Sequence, residues 1–128
     1  MEIPGLEIVF PPDPHMVVLC LVGRMPPEAI PRAEEVCLGV VDKGRPWVVI
    51  DLTRAAHVSE IGVGMLAYFQ GYLRSKGGKL AVVAPPPEVM AGIERFNLPG
   101  IIPWCPSREA AFAALRQART ERAGAKGR

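Results

Sequence analysis

The chain has 128 residues, of which 49% are hydrophobic, and its formal net charge is +2. A chain of this length makes one domain that can bury its own core. No apolar run approaches the roughly 20 residues that cross a bilayer, and the first residues do not resemble a signal peptide. We therefore expect a cytoplasmic protein.

The three cysteines are widely spaced and form no CxxC motif or Cys/His cluster. This pattern indicates neither a metal site nor a disulfide framework. We predict buried thiols that pack as small apolar side chains, with a reactive Cys105 as the alternative.

The positive charge is concentrated at the C-terminus. Residues 116–128 hold five basic side chains and one acid, whereas the rest of the chain holds ten basic and twelve acidic side chains. A nucleic-acid-binding domain would carry basic residues on its folded surface, interleaved with aromatics. We predict a domain over residues 1–115, followed over 116–128 by the basic end of the last helix and a flexible, solubilising tail. Contact of this tail with an acidic partner or a membrane surface is the alternative.

The N-terminal part of the chain predicts a sheet edge and two central strands. Residues 5–10 read as a short strand, and the proline-rich segment 11–15 is a turn. Residues 16–22 and 47–52 are apolar on both alternating faces, which is typical of strands covered by helices on both sides. Between these strands, residues 28–43 have the apolar spacing of an amphipathic helix.

Helices and strands continue to alternate toward the C-terminus. Residues 60–76 predict a second helix, and residues 80–84 predict a strand. The prolines that follow lead into a helix through about Arg95, residues 101–104 form a last short strand, and Ser107 caps the final helix. This order predicts a single α/β domain with a mostly parallel central sheet, an antiparallel hairpin at its N-terminal edge and about four helices.

The second predicted helix has two different faces. Its core side carries Gly62, Met65, Leu66, Phe69, Tyr72 and Leu73, and its opposite side carries Glu60, Gly64, Ala67, Gly71 and Arg74. Glycine in an exposed helix costs about 1 kcal/mol relative to alanine, and small side chains let another backbone approach closely. We therefore predict a docking face for a protein partner. The alternative is that small exposed residues are merely tolerated.

Two motifs around this helix resemble the signature of the STAS domain family. They are the segment Asp51-Leu52-Thr53 and, after a loop, the helix opening Gly62-Val63-Gly64. Gly23, Gly77 and the segment 85–89 also resemble the family, and the similarity covers roughly residues 8–115. The resemblance implies a STAS-like α/β fold and a bacterial anti-sigma-factor antagonist, which is a regulatory binding protein without cofactor or enzymatic activity. In that family the domain binds an anti-sigma kinase, and phosphorylation of a serine at the start of the second helix stops the binding.

The helix opening departs from the family pattern. Relatives have Asp-Ser-x-Gly where this chain has Ser59-Glu60-Ile61-Gly62. Glutamate cannot accept a phosphoryl group, and its single carboxylate only partly imitates the charge of about −1.5 to −2 on phosphoserine. We predict that the phosphorylation switch is lost, which leaves a constitutive binder or a surface resembling the phosphorylated form. Phosphorylation of Ser59 is the weaker alternative, because its hydroxyl already serves as a helix cap.

The predicted partner-binding residues surround the start and the outer face of this helix: Thr53, His57, Ser59, Glu60, Gly62, Val63, Gly64, Ala67, Gly71 and Arg74. The expected partner is a kinase-like anti-sigma protein. We expect no nucleic acid, no metal and no membrane insertion, and we keep a homodimer as an open alternative. The histidines lack the nucleophile and orienting acid of a catalytic set.

Two other functions remain as alternatives. One is a structural STAS subunit of a larger assembly, such as a lipid-transport ABC complex or a stressosome-like scaffold, in which the partner would be an ATPase or a scaffold protein. The other is a small-molecule or nucleotide sensor at the edge where the parallel strands end, since α/β proteins bind ligands there.

Overall fold

The structure, a computed structural model, describes residues 3–56, 60–84, 87, 91 and 102–126, with the side chains of 60–65 and 123–126 left out. Five strands in these residues form one sheet. The strands are β1 (Leu6–Val9), β2 (Met16–Leu21), β3 (Trp47–Asp51), β4 (Lys79–Val83) and β5 (Trp104–Cys105). The α-helices described over their length are α1 (Ile30–Asp42), α2 (Glu60–Ser75) and α3 (Arg108–Lys126).

The strands follow one another across the sheet in chain order. β1 is antiparallel to β2, with Leu6 opposite Leu21. The other three pairings are parallel, and Met16, Trp47 and Lys79 lie side by side at the amino end of the central strands. The predicted mostly parallel sheet with an N-terminal antiparallel hairpin is therefore confirmed. Most of the helix predicted between the prolines and Arg95 lies outside the described residues.

The central strands are buried on both sides because helices cover both faces of the sheet. One face packs against α1 and α2 through Val17, Leu19, Val48, Ile50, Leu80 and Val82 from the sheet and Val41, Leu66, Phe69 and Leu73 from the helices. The other face packs against α3 through Met16, Val18, Trp47, Val49, Ala81 and Val83 from the sheet and Ala111 and Leu115 from the helix. Full burial of each large aliphatic side chain contributes about 1.5–3 kcal/mol relative to exposure.

Two glycines, Gly77 and Gly78, follow α2 and lead directly into β4. Gly77, at a φ of +83°, donates its N–H to Arg74 O at 3.1 Å, and Gly78 donates to Leu73 O at 2.8 Å. This pair of bonds is a Schellman motif, which satisfies carbonyls that the helix itself leaves unbonded. A Cβ on Gly78 would lie 1.8 Å from Pro46 O, so no larger residue fits there without movement of the backbone.

The last helix covers one face of the sheet and continues to Lys126. Ser107 caps it as predicted, because its Oγ accepts the N–H of Ala110 at 3.2 Å. Arg119 donates to both carboxylate oxygens of Asp13, at 3.3 and 2.8 Å. Within the predicted basic end of the last helix, Arg119 therefore also makes a structural contact. No helix in the described part of the chain has both the length and the apolar character needed to span a membrane.

Candidate functional site

A buried carboxylate lies at the carboxyl end of β3. The side chain of Asp51 is only 6% exposed, and both of its oxygens accept hydrogen bonds. Oδ1 accepts from the backbone N–H of Thr53 at 2.9 Å and from the Thr53 hydroxyl at 2.5 Å. Oδ2 accepts from Nε of Arg108, the first residue of α3, at 2.6 Å. Asp51 thus joins β3, the loop before α2 and the start of α3.

The pKa of Asp51 lies below its ordinary value. Burial acts in the opposite direction and raises the pKa, but the hydrogen bonds from Thr53 and Arg108 outweigh burial, because they stabilise the ionised form. Asp51 is therefore an anion at neutral pH with both oxygens engaged. A carboxylate held in this way fixes the positions of its neighbours and is poorly suited to proton transfer.

The loop after β3 is also held from the side of β2. Gly23 donates its N–H to Arg54 O at 2.8 Å, and Ala56 donates to Gly23 O at 2.9 Å. Gly23 adopts a φ of +64°, which L-residues with a side chain rarely adopt. On the surface, Arg54 forms an ion pair with Glu7 at 2.7 Å. These contacts position Thr53, a predicted partner-binding residue, as an exposed residue on the approach to α2.

The start of α2 is described in its backbone only. The helix begins at Glu60, the residue where the sequence predicts its first turn, and Gly62, Val63 and Gly64 follow within it. His57 and Ser59, the other predicted contact residues of this segment, lie outside the described residues. The structure therefore brings Glu60 and both glycines onto the helix that follows the Asp51 loop.

The remaining part of α2 separates into two faces as predicted. Leu66, Phe69 and Leu73 are buried against the sheet. Gly71 and Arg74 are exposed, and Ala67 is half-buried. A Cβ added to Gly71 would meet nothing within 4 Å. No other segment of the described chain covers Gly71, so the space over this turn is open.

Two residues of α2 were missed by the sequence analysis. Gln70 is buried at 4% exposure, and its Oε1 accepts the N–H of Leu80 at 2.9 Å, at the start of β4. Tyr68 is 60% exposed and flanks the small residues of the outer face, so this face is less smooth than predicted. The available signal was spacing, because Gln70 stands four residues after Leu66 and three before Leu73, which places it beside the buried stripe.

Comparison with known proteins supports one family for this arrangement. The family model described as the STAS domain matches residues 7–111. The chain is 32% identical over 103 residues to BtrV of Bordetella bronchiseptica, a protein assigned as an anti-sigma factor antagonist; the match covers 80% of this chain and 89% of BtrV.

Solved structures show the same fold. A crystal structure from Thermotoga maritima, also assigned as an anti-sigma factor antagonist, has a TM-score of 0.72 at 20% identity and covers 87% of this chain and 92% of its own. The Bacillus cell fate determinant SpoIIAA in its phosphorylated form has a TM-score of 0.70 at 14% identity and covers 85% of this chain and 98% of its own. The family match over residues 7–111 and the likeness to BtrV establish that the chain belongs to the STAS domain family.

Proposed function

We propose that this protein is a regulatory binding module that acts as an anti-sigma-factor antagonist. Its partner is a kinase-like anti-sigma protein, which contacts the loop after Asp51 and the outer face of α2. The observation that carries the proposal is the open surface over Gly71, where nothing in the described chain fills the space beside the helix. The likeness to BtrV supports the same class of function.

The geometry around Asp51 supports binding over catalysis. The carboxylate accepts three hydrogen bonds, from two groups of Thr53 and from Arg108, and so presents neither a free base nor a free acid. The loop that carries Thr53 is fixed on one side by Asp51 and on the other by Gly23. The segment over residues 53–56, held in this way next to an open helix face, is a preorganised surface. Preorganisation lowers the entropic cost of binding a partner.

The phosphorylation switch of the family is absent in this proposal. Glu60 stands at the first position of α2, and the proposal places it at the position where the family resemblance implies the acceptor serine. A negative charge is favoured in the first turn of a helix by about 0.3–1 kcal/mol, so this carboxylate is a permanent charge in place of a removable phosphate. The protein would then bind its partner without control by phosphorylation, or would resemble the phosphorylated form.

Capture of the partner from the native cell extract tests the binding surface. Gly64→Glu and Gly71→Glu place a bulky charge on the outer face, and we expect each to weaken partner binding by about tenfold or more, because an uncompensated charge in an interface costs several kcal/mol. Ala113→Glu is the matched control, since Ala113 is exposed on α3, at the other face of the sheet. Unchanged affinity in both glycine variants, with unaltered circular dichroism spectra, would exclude this face.

The identity of the captured protein separates the proposed function from its alternative. Capture of a kinase-like protein would support the proposed function as an anti-sigma-factor antagonist. A transport ATPase or a large homologous scaffold would instead indicate a structural subunit.

Incubation with the kinase and ATP, followed by mass mapping, tests the lost switch: we expect phosphate on Glu60→Ser at residue 60 and none on the wild type. Phosphate on Ser59 of the wild type would overturn the proposal that the phosphorylation switch is lost.

A further inference from the structure

A cleft lies at the amino end of the parallel strands, far along the sheet from Asp51. It has a volume of about 460 Å³ and is bounded by the starts of β3 and β4, the last turns of α2 and the C-terminal half of α3. Clefts of about 300–1,000 Å³ are the size that small ligands occupy in proteins. The first residue of β3, Trp47, forms part of the wall, and its near-complete burial makes that part rigid.

Three cationic side chains line this cleft and one acid accompanies them. The cations are Arg74, Lys79 and Arg122, and the acid is Glu121. None of the three cations forms an ion pair with a carboxylate in the described part of the chain. Glu121 accepts a hydrogen bond from Gln117 on its own helix, at 3.3 Å. The cleft therefore carries an excess of positive charge that the fold does not neutralise.

A buried amide supplies a neutral donor to the same cleft. Gln70 is 4% exposed, and its Oε1 is held by the N–H of Leu80. Its Nε2 has no hydrogen-bond partner within the described residues. Since no buried side-chain nitrogen or oxygen there lacks a partner, this nitrogen reaches solvent, and Gln70 lines the cleft. The bond to Leu80 thus fixes one end of the amide and leaves the other end free to donate to a ligand.

Two carbonyl oxygens at the end of α2 are already bonded within the chain. A helix C-terminus normally presents unbonded carbonyl oxygens and a partial negative charge, which disfavour an anion. Here the carbonyls of Leu73 and Arg74 accept hydrogen bonds from Gly78 and Gly77. Arg122 Nη1 lies 3.5 Å from Gly78 O, a long contact that leaves most of its donors unused.

We propose that this cleft is a binding site for a small polyanion that carries phosphate groups. Arg74, Lys79 and Arg122 supply charge-assisted hydrogen bonds, for which guanidinium and ammonium groups are well suited. The Gln70 amide supplies a rigid donor at the floor. The site lies at the opposite end of the strands from the Asp51 loop and shares only Arg74 with the outer face of α2. Its test uses the isolated protein and needs no protein partner.

Titration of the full chain with pyrophosphate tests the site. The probe is inorganic pyrophosphate at constant ionic strength, followed by ¹H–¹⁵N correlation spectra with chloride as the reference anion. We expect saturable shifts that concentrate at the amides of Gly78, Lys79 and Arg122. Arg122→Ala should weaken the affinity by about tenfold or more, because it removes a charge-assisted hydrogen bond to phosphate. Lys79→Ala, at the start of β4, should have the same effect.

Arg116→Ala is the matched control, because it removes the same charge from the same helix at an exposed position that does not line the cleft. We expect its affinity to stay within about twofold of the wild type, since exposed charges interact weakly through salt solution. Equal losses in Arg116→Ala and Arg122→Ala would show nonspecific attraction to a basic helix and would overturn the proposal. Absence of saturable shifts at millimolar pyrophosphate would overturn it as well.

Discussion

At the carboxyl end of the strands, Asp51 is bound on both oxygens by Thr53 and Arg108. The three cations that line the cleft at the amino end pair with no described carboxylate. Burial accounts for the difference. A carboxylate that is 6% exposed must be paired, because an unpaired buried charge costs several kcal/mol. Cations that reach water are hydrated and can remain unpaired at little cost. The buried charge of Asp51 therefore supports the fold, and the charges that line the cleft are available to a ligand.

The largest expected effect on stability comes from the close contact between Gly78 and Pro46 at the amino end of the strands. Gly78→Ala places a Cβ 1.8 Å from Pro46 O, and we expect a loss of about 3 kcal/mol of unfolding free energy, because backbone must move to relieve the overlap. Gly71→Ala is the contrasting variant, since open space surrounds that position. It should stabilise the protein by about 1 kcal/mol. Urea denaturation measures both, and shifts of the same sign would contradict the contrast.

At the carboxyl end, Asp51→Asn should lower the unfolding free energy at pH 7 by about 2 kcal/mol, through loss of charged hydrogen bonds. The pKa of Asp51 in the folded protein lies below its ordinary value of 3.8. The ionised carboxylate therefore contributes stability that is present above the unfolded-state pKa and is lost as the pH falls through the folded-state pKa.

Thermal denaturation across the acid range measures this loss. The difference in Tm between wild type and Asp51→Asn should be largest near neutral pH and should shrink below pH 3.8. Glu7→Gln removes a carboxylate from an ion pair whose side chains are both more than half exposed, and it should change stability by less than about 0.5 kcal/mol. A Tm difference that stays constant with pH would show that Asp51 does not act through its charge.

The smallest expected effect concerns α3. Arg119→Ala removes the bidentate pair with Asp13 and should cost about 0.5–1 kcal/mol, as for a partly exposed salt bridge. Arg116→Ala, three residues earlier and exposed, should have no measurable effect on stability. Urea denaturation at low and high salt measures the unfolding free energy of both variants. The loss caused by Arg119→Ala should be smaller at high salt. Equal effects of the two variants would mean that the Asp13 contact does not contribute to stability in solution.

The strands and helices were predictable from local patterns. β2 and β3 consist of apolar residues on both alternating faces, and only a sheet covered on both sides buries such a segment. The ends of α2 were predictable to within one residue, because a run of helical spacing is closed there by two glycines. The last strand was less predictable: it forms at Trp104–Cys105, at the end of the predicted segment, because two residues carry little pattern.

The contacts at the two ends of the sheet were not predictable in this way. Arg108 bonds to Asp51 from 57 residues away, and Arg119 bonds to Asp13 across 106 residues. Nothing in the local sequence marks either arginine, because their partners are set by how α3 lies across the sheet. The cleft at the amino end was not predictable either, since arginines in a C-terminal segment also fit a solubilising group and an amide such as Gln70 is ordinarily exposed.

α3 is bound to the rest of the domain at its first residue, Arg108, and again at Arg119. Its first residue bonds to Asp51 beyond the carboxyl end of β3, and Arg119 bonds to Asp13 in the turn before β2, about 16 Å further along the helix axis. A slide of the helix by one turn, about 5.4 Å, would break both anchors at once. Both contacts therefore oppose sliding of α3 along the sheet, and they help to set where Arg122 lies beside Gly78.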